Sequence, residues 1–185
     1  MTFWSDSGKL EPKRAFRWEI TAFSPGSADI GTLSFYAKKV TKPQFTVEEA
    51  EHKHLNKSYY FPGHVKWDPV TITFVDDAGG SLMTGLTTAF AASNYDLISK
   101  NTGAINKERN LNTIPKASLL SNTADNGKLV VQQLDAVGTP VETFTLHNSW
   151  IKSIKPSELS YDTEDLSTYD VEIRFDWCAY TRKGE

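Results

Sequence analysis

The C-terminal end of the chain, from Thr168 to Tyr180, alternates regularly between apolar and polar side chains. A period of two over this length, about twice that of an ordinary strand, predicts one long β-strand with a buried face and a charged face. Such a strand must pair with other backbone along all of its length. In a small domain this points to a β-sandwich or barrel, or to a sheet continued by neighbouring copies. The predicted buried face carries Tyr169, Val171, Ile173, Phe175, Trp177 and Ala179.

Size and composition fit one folded domain over residues 1–185. Of the 185 residues, 23% are charged and 12% are aromatic, which suits a globular protein with a substantial core. The formal net charge of −3 argues against a protein that grips nucleic acid through a basic surface, because such binding depends on clustered Lys and Arg.

Cysteine content and the N-terminus indicate a cytosolic origin. The single cysteine, Cys178, cannot form an internal disulfide, which excludes a disulfide-stapled secreted scaffold. Residues 1–12 contain no apolar signal-peptide region, and no run of about eighteen apolar residues occurs anywhere. We therefore expect neither a signal peptide nor a membrane span.

Other segments with a period of two make the chain mainly antiparallel β. In the first, Phe16 is predicted on the buried face together with Trp18 and Ile20. Pro69 lacks an N–H group and predicts an unpaired or bulged position within its strand. The polar stretch Phe45–Phe61 predicts a long two-sided hairpin with a poorly marked turn. The remaining strand segments are Leu33–Ala37, Val65–Asp77 and the hairpin Leu129–Trp150, which turns at Ala136–Pro140.

Three segments are predicted to lie outside the strands. Apolar residues at helical spacing after Ser81 predict one α-helix over Leu82–Ser99. The Asn-rich stretch 100–126 predicts a long irregular surface loop, which in a compact domain serves as a contact region or is disordered. Residues 1–12 are predicted to form an extended N-terminal arm.

The sequence offers no assembled active site, so we expect no enzyme, cofactor or metal centre. His52 and His54 lie within a charged run, and a solvated strand is favoured over a metal site. The carboxylates near Asp76 and Asp162 lie beside turn residues, where acidic side chains are common for local hydrogen-bonding reasons. Cys178 has no neighbouring His and is expected to be an inert, packed thiol.

The order of the predicted elements is more specific than any motif. It resembles the tail tube proteins of contractile-tailed bacteriophages, or the tube of a related contractile injection system. The resemblance rests on Trp67–Asp77, on the helix after it, and on Leu146–Tyr180, which contains Tyr-Asp-Val-Glu-Ile-x-Phe-Asp-Trp. These segments cover roughly half of the chain. The N-terminal lead and the Asn-rich loop have no counterpart in the resemblance.

The resemblance implies a β-sandwich or barrel-like subunit that forms six-membered rings, which stack into a hollow tube. Its implied partners are copies of itself, the tail sheath, a baseplate or tube initiator, and a tape-measure protein. DNA or effector cargo would pass through the lumen without specific binding. The implied location is the tail of a virion, assembled in the host cytoplasm.

Five charged residues are candidates for contacts with the lumen or with a neighbouring subunit. Glu48, Glu49 and Glu51 lie on the predicted polar hairpin, and Glu172 and Arg174 lie on the charged face of the last strand. Ordinary solvated hairpin residues are the competing interpretation for the three glutamates.

Three other functions remain open from the sequence. One is a tube initiator or baseplate ring protein of the same family. A second is a carbohydrate-binding β-sandwich, which would expose Tyr59, Tyr60 or Trp67 in a row for stacking on sugars. A third is a hydrolase, which would need two carboxylates in a cleft, one of them Asp76 or Asp162.

Overall fold

The fold is an antiparallel β-sandwich, as the alternating segments predict. The computed structural model describes residues 13–22, 36–80, 83–84, 127–162 and 164–183. Ten strands lie within these ranges. They are β1 (Trp18–Ala22), β2 (Ala37–Val40), β3 (Phe45–His54), β4 (Lys57–Trp67), β5 (Val70–Val75), β6 (Leu129–Leu134), β7 (Pro140–His147), β8 (Trp150–Pro156), β9 (Thr168–Arg174) and β10 (Trp177–Arg182).

Eight strands form two four-stranded sheets that share one core. The first sheet has the order β1-β6-β7-β10, and the second has the order β2-β5-β9-β8. Apolar side chains from both sheets form a single buried cluster, so the two sheets pack face to face. The cluster contains Ile20, Val70, Ile72, Phe74, Leu129, Val131, Leu146, Ile151, Val171, Ile173 and Phe175.

The central strands follow directly from their sequence pattern. In β5, Val70, Ile72 and Phe74 are completely buried, while the threonines between them are half-buried on the other face. The buried face continues onto the neighbouring strand β9, where the buried Val171 lies opposite Ile72. These β-branched and aromatic pairs suit a pleated surface that packs against a second sheet.

The prediction of one long C-terminal strand is wrong. The chain leaves the second sheet after Arg174 and enters the first sheet at Trp177, so the segment forms β9 and β10. Asp176 and Trp177 are both exposed, and the inward side moves from Phe175 to Cys178, which packs against the core. This one-residue slip reverses the two faces, as expected where a strand passes from one sheet to the other.

The chain also passes between the sheets from β7 to β8, and this second crossing lies beside the passage from β9 to β10. The predicted hairpin Leu129–Trp150 ends at His147, and the chain turns through Asn148, which has a φ of 55°. Trp150 therefore starts a strand of the second sheet instead of sharing a face with Leu146. The Asn148 side-chain amide donates a hydrogen bond to the Asp176 carboxylate (2.9 Å), which ties the two crossings together.

Two smaller predictions are also corrected. Phe16 is 75% exposed because β1 begins only at Trp18. The hairpin starting at Phe45 extends to Trp67, so the segment predicted as one strand from Val65 is divided at Asp68 and Pro69. Pro69 thus lies between two strands, where its missing N–H group costs no pairing.

Several predicted segments lie outside the described residues. These are the N-terminal arm 1–12, residues 33–35, the loop 100–126 and most of the helix. Met83 and Thr84 alone represent that helix, and the Thr84 N–H donates to the carbonyl of Gly80 (3.0 Å), which is a helical contact.

Candidate assembly surfaces

The β3–β4 hairpin stands away from the sandwich. Among the strands that the structure describes, β3 and β4 pair only with each other, from Phe45 opposite Trp67 to His54 opposite Lys57. All residues of β3 and all of β4 except Trp67 are exposed. Leu55 forms the turn with Asn56 and adopts a φ of 54°. The predicted two-sided hairpin is therefore confirmed. It is longer than predicted, and more of its side chains are exposed to solvent.

Many of the exposed hairpin side chains are apolar or aromatic. A two-stranded ribbon without a packed face is at best marginally stable in water. Exposed apolar surface on this scale is typical of a surface that contacts another molecule. The side chains concerned are Phe45, Val47, Leu55, Tyr59, Tyr60, Phe61 and Val65, each at least 47% exposed.

Aromatic contacts fix the root of the hairpin. The rings of Phe45 and Trp67 lie 5.2 Å apart, and the Trp67 ring lies 5.7 Å from the buried Phe175. Such pairs add about 0.5–1.5 kcal/mol beyond their buried area. The Asp68 N–H also donates to the carbonyl of Gln44 (2.9 Å). The ribbon therefore leaves the core from a defined base.

A bulge lies midway along the ribbon. The register shifts between Val47 and Glu49, with Gly63 facing Glu48. A Cβ atom on Gly63 would lie 2.9 Å from the Glu48 carbonyl oxygen, so the close approach of the strands requires glycine here.

A buried carboxylate links this root to the first sheet. Glu142, 8% exposed on β7, accepts hydrogen bonds from Lys13 and from the Tyr180 hydroxyl (2.8 Å). The ammonium of Lys42, in the connection that leads to β3, lies 3.6 Å from the carboxylate and donates to Gln133 (2.6 Å). Burial raises the pKa of Glu142, but the hydrogen bonds and the lysine charges outweigh it, so its pKa lies below the ordinary value.

Substitution of Glu142 tests this link. Because its pKa is lower in the folded state, Glu142 stabilises the fold at neutral pH and loses that contribution as the pH falls through the folded pKa. We expect Glu142→Gln to lower the unfolding free energy by about 1–2 kcal/mol at about pH 7, since both lysines are partly exposed. The deficit should shrink at about pH 3. Urea unfolding at the two pH values measures it, and an equal deficit at both would refute the link.

The three hairpin glutamates are all exposed. Glu48 lies at the bulge, and the Glu51 carboxylate lies 3.7 Å from the Lys53 ammonium. Exposed pairs of this kind contribute little to stability. The glutamates are thus available for a contact outside the chain.

Glu172 and Arg174 lie on the outer face of the second sheet, on a different element from the glutamates of the hairpin. Glu172 accepts hydrogen bonds from the Lys152 ammonium (2.6 Å) and the Ser153 hydroxyl (3.0 Å). The bond from Lys152 is the main reason that the pKa of Glu172 is lowered. Arg174 is half-buried opposite Trp150. The structure therefore places the five predicted residues in two separate surfaces.

Both sheets end in edge strands. Within the described residues, β1, β10, β2 and β8 each pair on one side only. On β10 the exposed Trp177 stacks on His147, with ring centres 3.6 Å apart and planes 7° from parallel. Burial, followed by the charge of Lys128, lowers the pKa of His147. The imidazole and indole rings thus form a flat stack at this edge.

The residues proposed for other activities do not come together. Tyr59 and Tyr60 are neighbours on a strand and point to opposite faces, so they form no row for stacking on a sugar. A cleft of about 590 Å³ between β2 and the β8–β9 connection is lined by neither Asp76 nor Asp162.

The described parts of the chain hold neither a metal-ligand cluster nor a helix fit to cross a membrane. No group of three or more potential metal ligands occurs there. None of the helical residues described belongs to a segment with the length and hydropathy of a membrane span. Cys178 is half-buried, and burial raises its pKa, as expected for an inert thiol.

The fold is shared with chains from contractile injection systems. A chain in the structure of the anti-feeding prophage cap matches with a TM-score of 0.56 and 10% identity, over 98% of this chain and 99% of that chain. A chain in the anti-feeding prophage baseplate gives 0.55 and 10% over 95% and 99%. A chain in the sheath–tube complex of the extracellular contractile injection system PVC gives 0.54 and 11% over 92% of both.

The TM-scores of 0.54–0.56, obtained at identities of only 10–11%, show a common fold, and they confirm the predicted fold class. The matched chains come from structures of a baseplate, a tube-terminating cap and a sheath–tube complex. No protein-family model matches the sequence. The comparison with curated proteins gives no match either.

Proposed function

We propose that this chain is a structural subunit of the inner tube of a contractile tail or a related injection apparatus. The observation that carries this proposal is the β3–β4 hairpin, which exposes apolar side chains on both faces and projects from a sandwich with the fold of injection-machine components. Such a ribbon gains stability and burial when it contacts another subunit. The main partners proposed for the chain are other copies of itself.

The copies associate side by side into six-membered rings, and the rings stack into a hollow tube. Among the described strands, β1 and β10 each pair on one side only, which supports lateral association, because an edge strand can pair with the backbone of another chain. Two different edges meeting head to tail form a heterologous contact, which closes into a ring when the rotation allows it.

The lumen of this tube carries DNA or effector cargo without binding it specifically. A net charge of −3 supports this role, since an acidic wall repels phosphates and lets a duplex slide. Glu48, Glu49 and Glu51 are proposed to face the lumen or a neighbouring subunit. The sheath, the baseplate or initiator and the tape-measure protein are the further partners, in a virion tail assembled in the host cytoplasm.

A tube initiator or terminating ring is the second candidate. The cap and baseplate chains of the anti-feeding prophage match this chain as well as the sheath–tube chain does. The two roles differ in the number of rings that stack. A main tube subunit polymerises into long tubes, whereas an initiator or cap stops at one or a few rings.

Electron microscopy of the purified chain, with and without its sheath and baseplate partners, tests the proposed function. We expect six-membered rings or tubes of uniform bore. A chain that stays monomeric at high concentration with all partners present would contradict the proposal.

Glu172 and Arg174 are proposed to contact a neighbouring subunit through the outer face of β9. The double substitution Glu172→Gln and Arg174→Gln removes both charges and keeps a polar side chain at each position. We expect the concentration needed for assembly to rise by about tenfold, since contacts worth more than 1 kcal/mol are lost. If sedimentation velocity shows normal assembly of the double variant, the charged face of β9 does not contact a neighbouring subunit.

A further inference from the structure

The hairpin and the cleft lie at opposite ends of the second sheet. The hairpin leads into β5 at Val70, which pairs with Ile173 near the end of β9. The cleft lies at the other end, where Val75 of β5 pairs with Thr168 at the start of β9. The length of β5 separates these ends by about 20 Å. Because the hairpin and the cleft mark opposite ends, two copies in line bring the hairpin of one towards the cleft of the other.

The tip of the hairpin is an apolar side chain flanked by cations. Leu55 is 90% exposed at the turn. Lys53 and Lys57 lie on either side of it, together with His54, and the Lys53 side chain is 73% exposed. A leucine held at the end of a long ribbon is costly to leave in water and suited to insertion into a pocket.

The cleft combines apolar side chains with carboxylates, which complements the apolar and positively charged tip of the hairpin. Its volume of about 590 Å³ lies within the range of about 300–1,000 Å³ typical of binding sites. Leu159 and Leu166, which line it, are 83% and 67% exposed. Glu158 and Asp165 line it as well, against one cation, Lys38, and Asp162 and Glu164 are exposed on the same connection, so carboxylates predominate. The lining comprises Lys38, Ser157, Glu158, Leu159, Ser160, Tyr161, Asp165, Leu166, Ser167 and Thr168.

We propose that Leu55 and its flanking lysines dock into the acidic cleft of the next copy. The inference rests on the proposed tube function and names the receiving surface for the hairpin. Leu55 contacts Leu159 and Leu166, and the lysines face Glu158 and Asp165. This contact joins two different surfaces at opposite ends of the subunit. It is therefore heterologous and propagates along an axis, as the stacking of rings requires.

Engineered disulfides test the contact directly. In a Cys178→Ala background, Leu55→Cys combined with Leu159→Cys is expected to give a ladder of crosslinked multimers on non-reducing gels, because each copy then donates one cysteine and receives another. Leu55→Cys combined with Val137→Cys is the matched control, since Val137 is 89% exposed at a different turn. This control should give no ladder.

The single variant Leu55→Cys separates two geometries. A crosslinked dimer from this variant means that hairpin tips meet each other, and this overturns the proposal. So does the lack of a ladder for Leu55→Cys with Leu159→Cys under conditions where the unsubstituted chain forms tubes. If the unsubstituted chain forms neither rings nor tubes with its sheath and baseplate partners, the proposed function fails instead.

A charge exchange gives an independent readout. Lys53→Glu with Lys57→Glu should raise the concentration needed for tube formation by about tenfold or more, and Glu158→Lys with Asp165→Lys should do the same. All four substitutions in one chain should restore assembly, because the signs are again opposite. A fourfold variant that assembles no better than either pair would count against the contact.

Discussion

Replacing residues 48–64 with an Asn-Gly turn is expected to abolish tube assembly while the sandwich still folds. The replacement keeps the pair Val47 and Val65 and the root contacts of Phe45 and Trp67, and Asn-Gly suits a two-residue hairpin turn. Residues 48–64 are all exposed and none belongs to the buried cluster of the described residues, so we expect their loss to leave the core intact. Sedimentation velocity and electron microscopy measure assembly, and near-ultraviolet circular dichroism reports the packing of the core.

A second variant separates the length of the hairpin from its apolar surface. Tyr60→Ser, Phe61→Ser and Val65→Ser together keep the ribbon but remove three exposed apolar side chains. We expect this variant to be folded and defective in assembly, because truncation of buried aromatic anchors costs about 2 kcal/mol or more each at an interface. If the chain with Asn-Gly in place of residues 48–64 still forms tubes, the hairpin is not an assembly element.

The largest effect on stability is expected from Phe74→Ala. Phe74 is fully buried near the end of β5, a strand that lies between β2 and β9, and it belongs to the core shared by the two sheets. Loss of a buried phenyl ring leaves a cavity and costs about 3–5 kcal/mol. That is a large share of the stability of a domain, about 5–15 kcal/mol in total.

Phe16→Ala is the matched control for Phe74→Ala. Phe16 is 75% exposed, so its removal should change the unfolding free energy by less than about 0.5 kcal/mol. Urea unfolding of both variants measures the difference. Similar losses in the two variants would contradict the assignment of the core.

The central strands of the sandwich could be predicted from the sequence because each buries one face. Val70, Ile72 and Phe74 alternate with threonine, and Leu129 and Val131 alternate with polar or half-buried residues. In such strands the side-chain period alone fixes which face is buried.

The passage from β9 to β10 could not be predicted from the same signal. The apolar and polar side chains continue to alternate from Thr168 to Tyr180, yet the backbone slips by one residue near Asp176 and the chain changes sheets. The slip depends on contacts with Asn148 and His147, which are distant in sequence. A pattern local to one strand carries no information about those contacts.

The candidate surfaces were predicted in part. The hairpin at Phe45 was expected, but its apolar side chains would ordinarily indicate burial, and they are exposed. The tyrosines and phenylalanine that follow one another on β4 are a signal for this, because side chains on both faces cannot all face one core. The sequence pattern predicts turn residues for the carboxylates of the β8–β9 connection, and it gives no sign of the cleft beside them, which also includes Lys38 of the distant strand β2.

The most direct test of the tube proposal is an electron cryomicroscopy reconstruction of the particle or tube that this chain forms. The account predicts stacked six-membered rings around an open lumen, with the β3–β4 hairpin of each subunit buried against another copy. A reconstruction in which the chain forms no ring, or in which the hairpin remains exposed to solvent in the assembled tube, would contradict it.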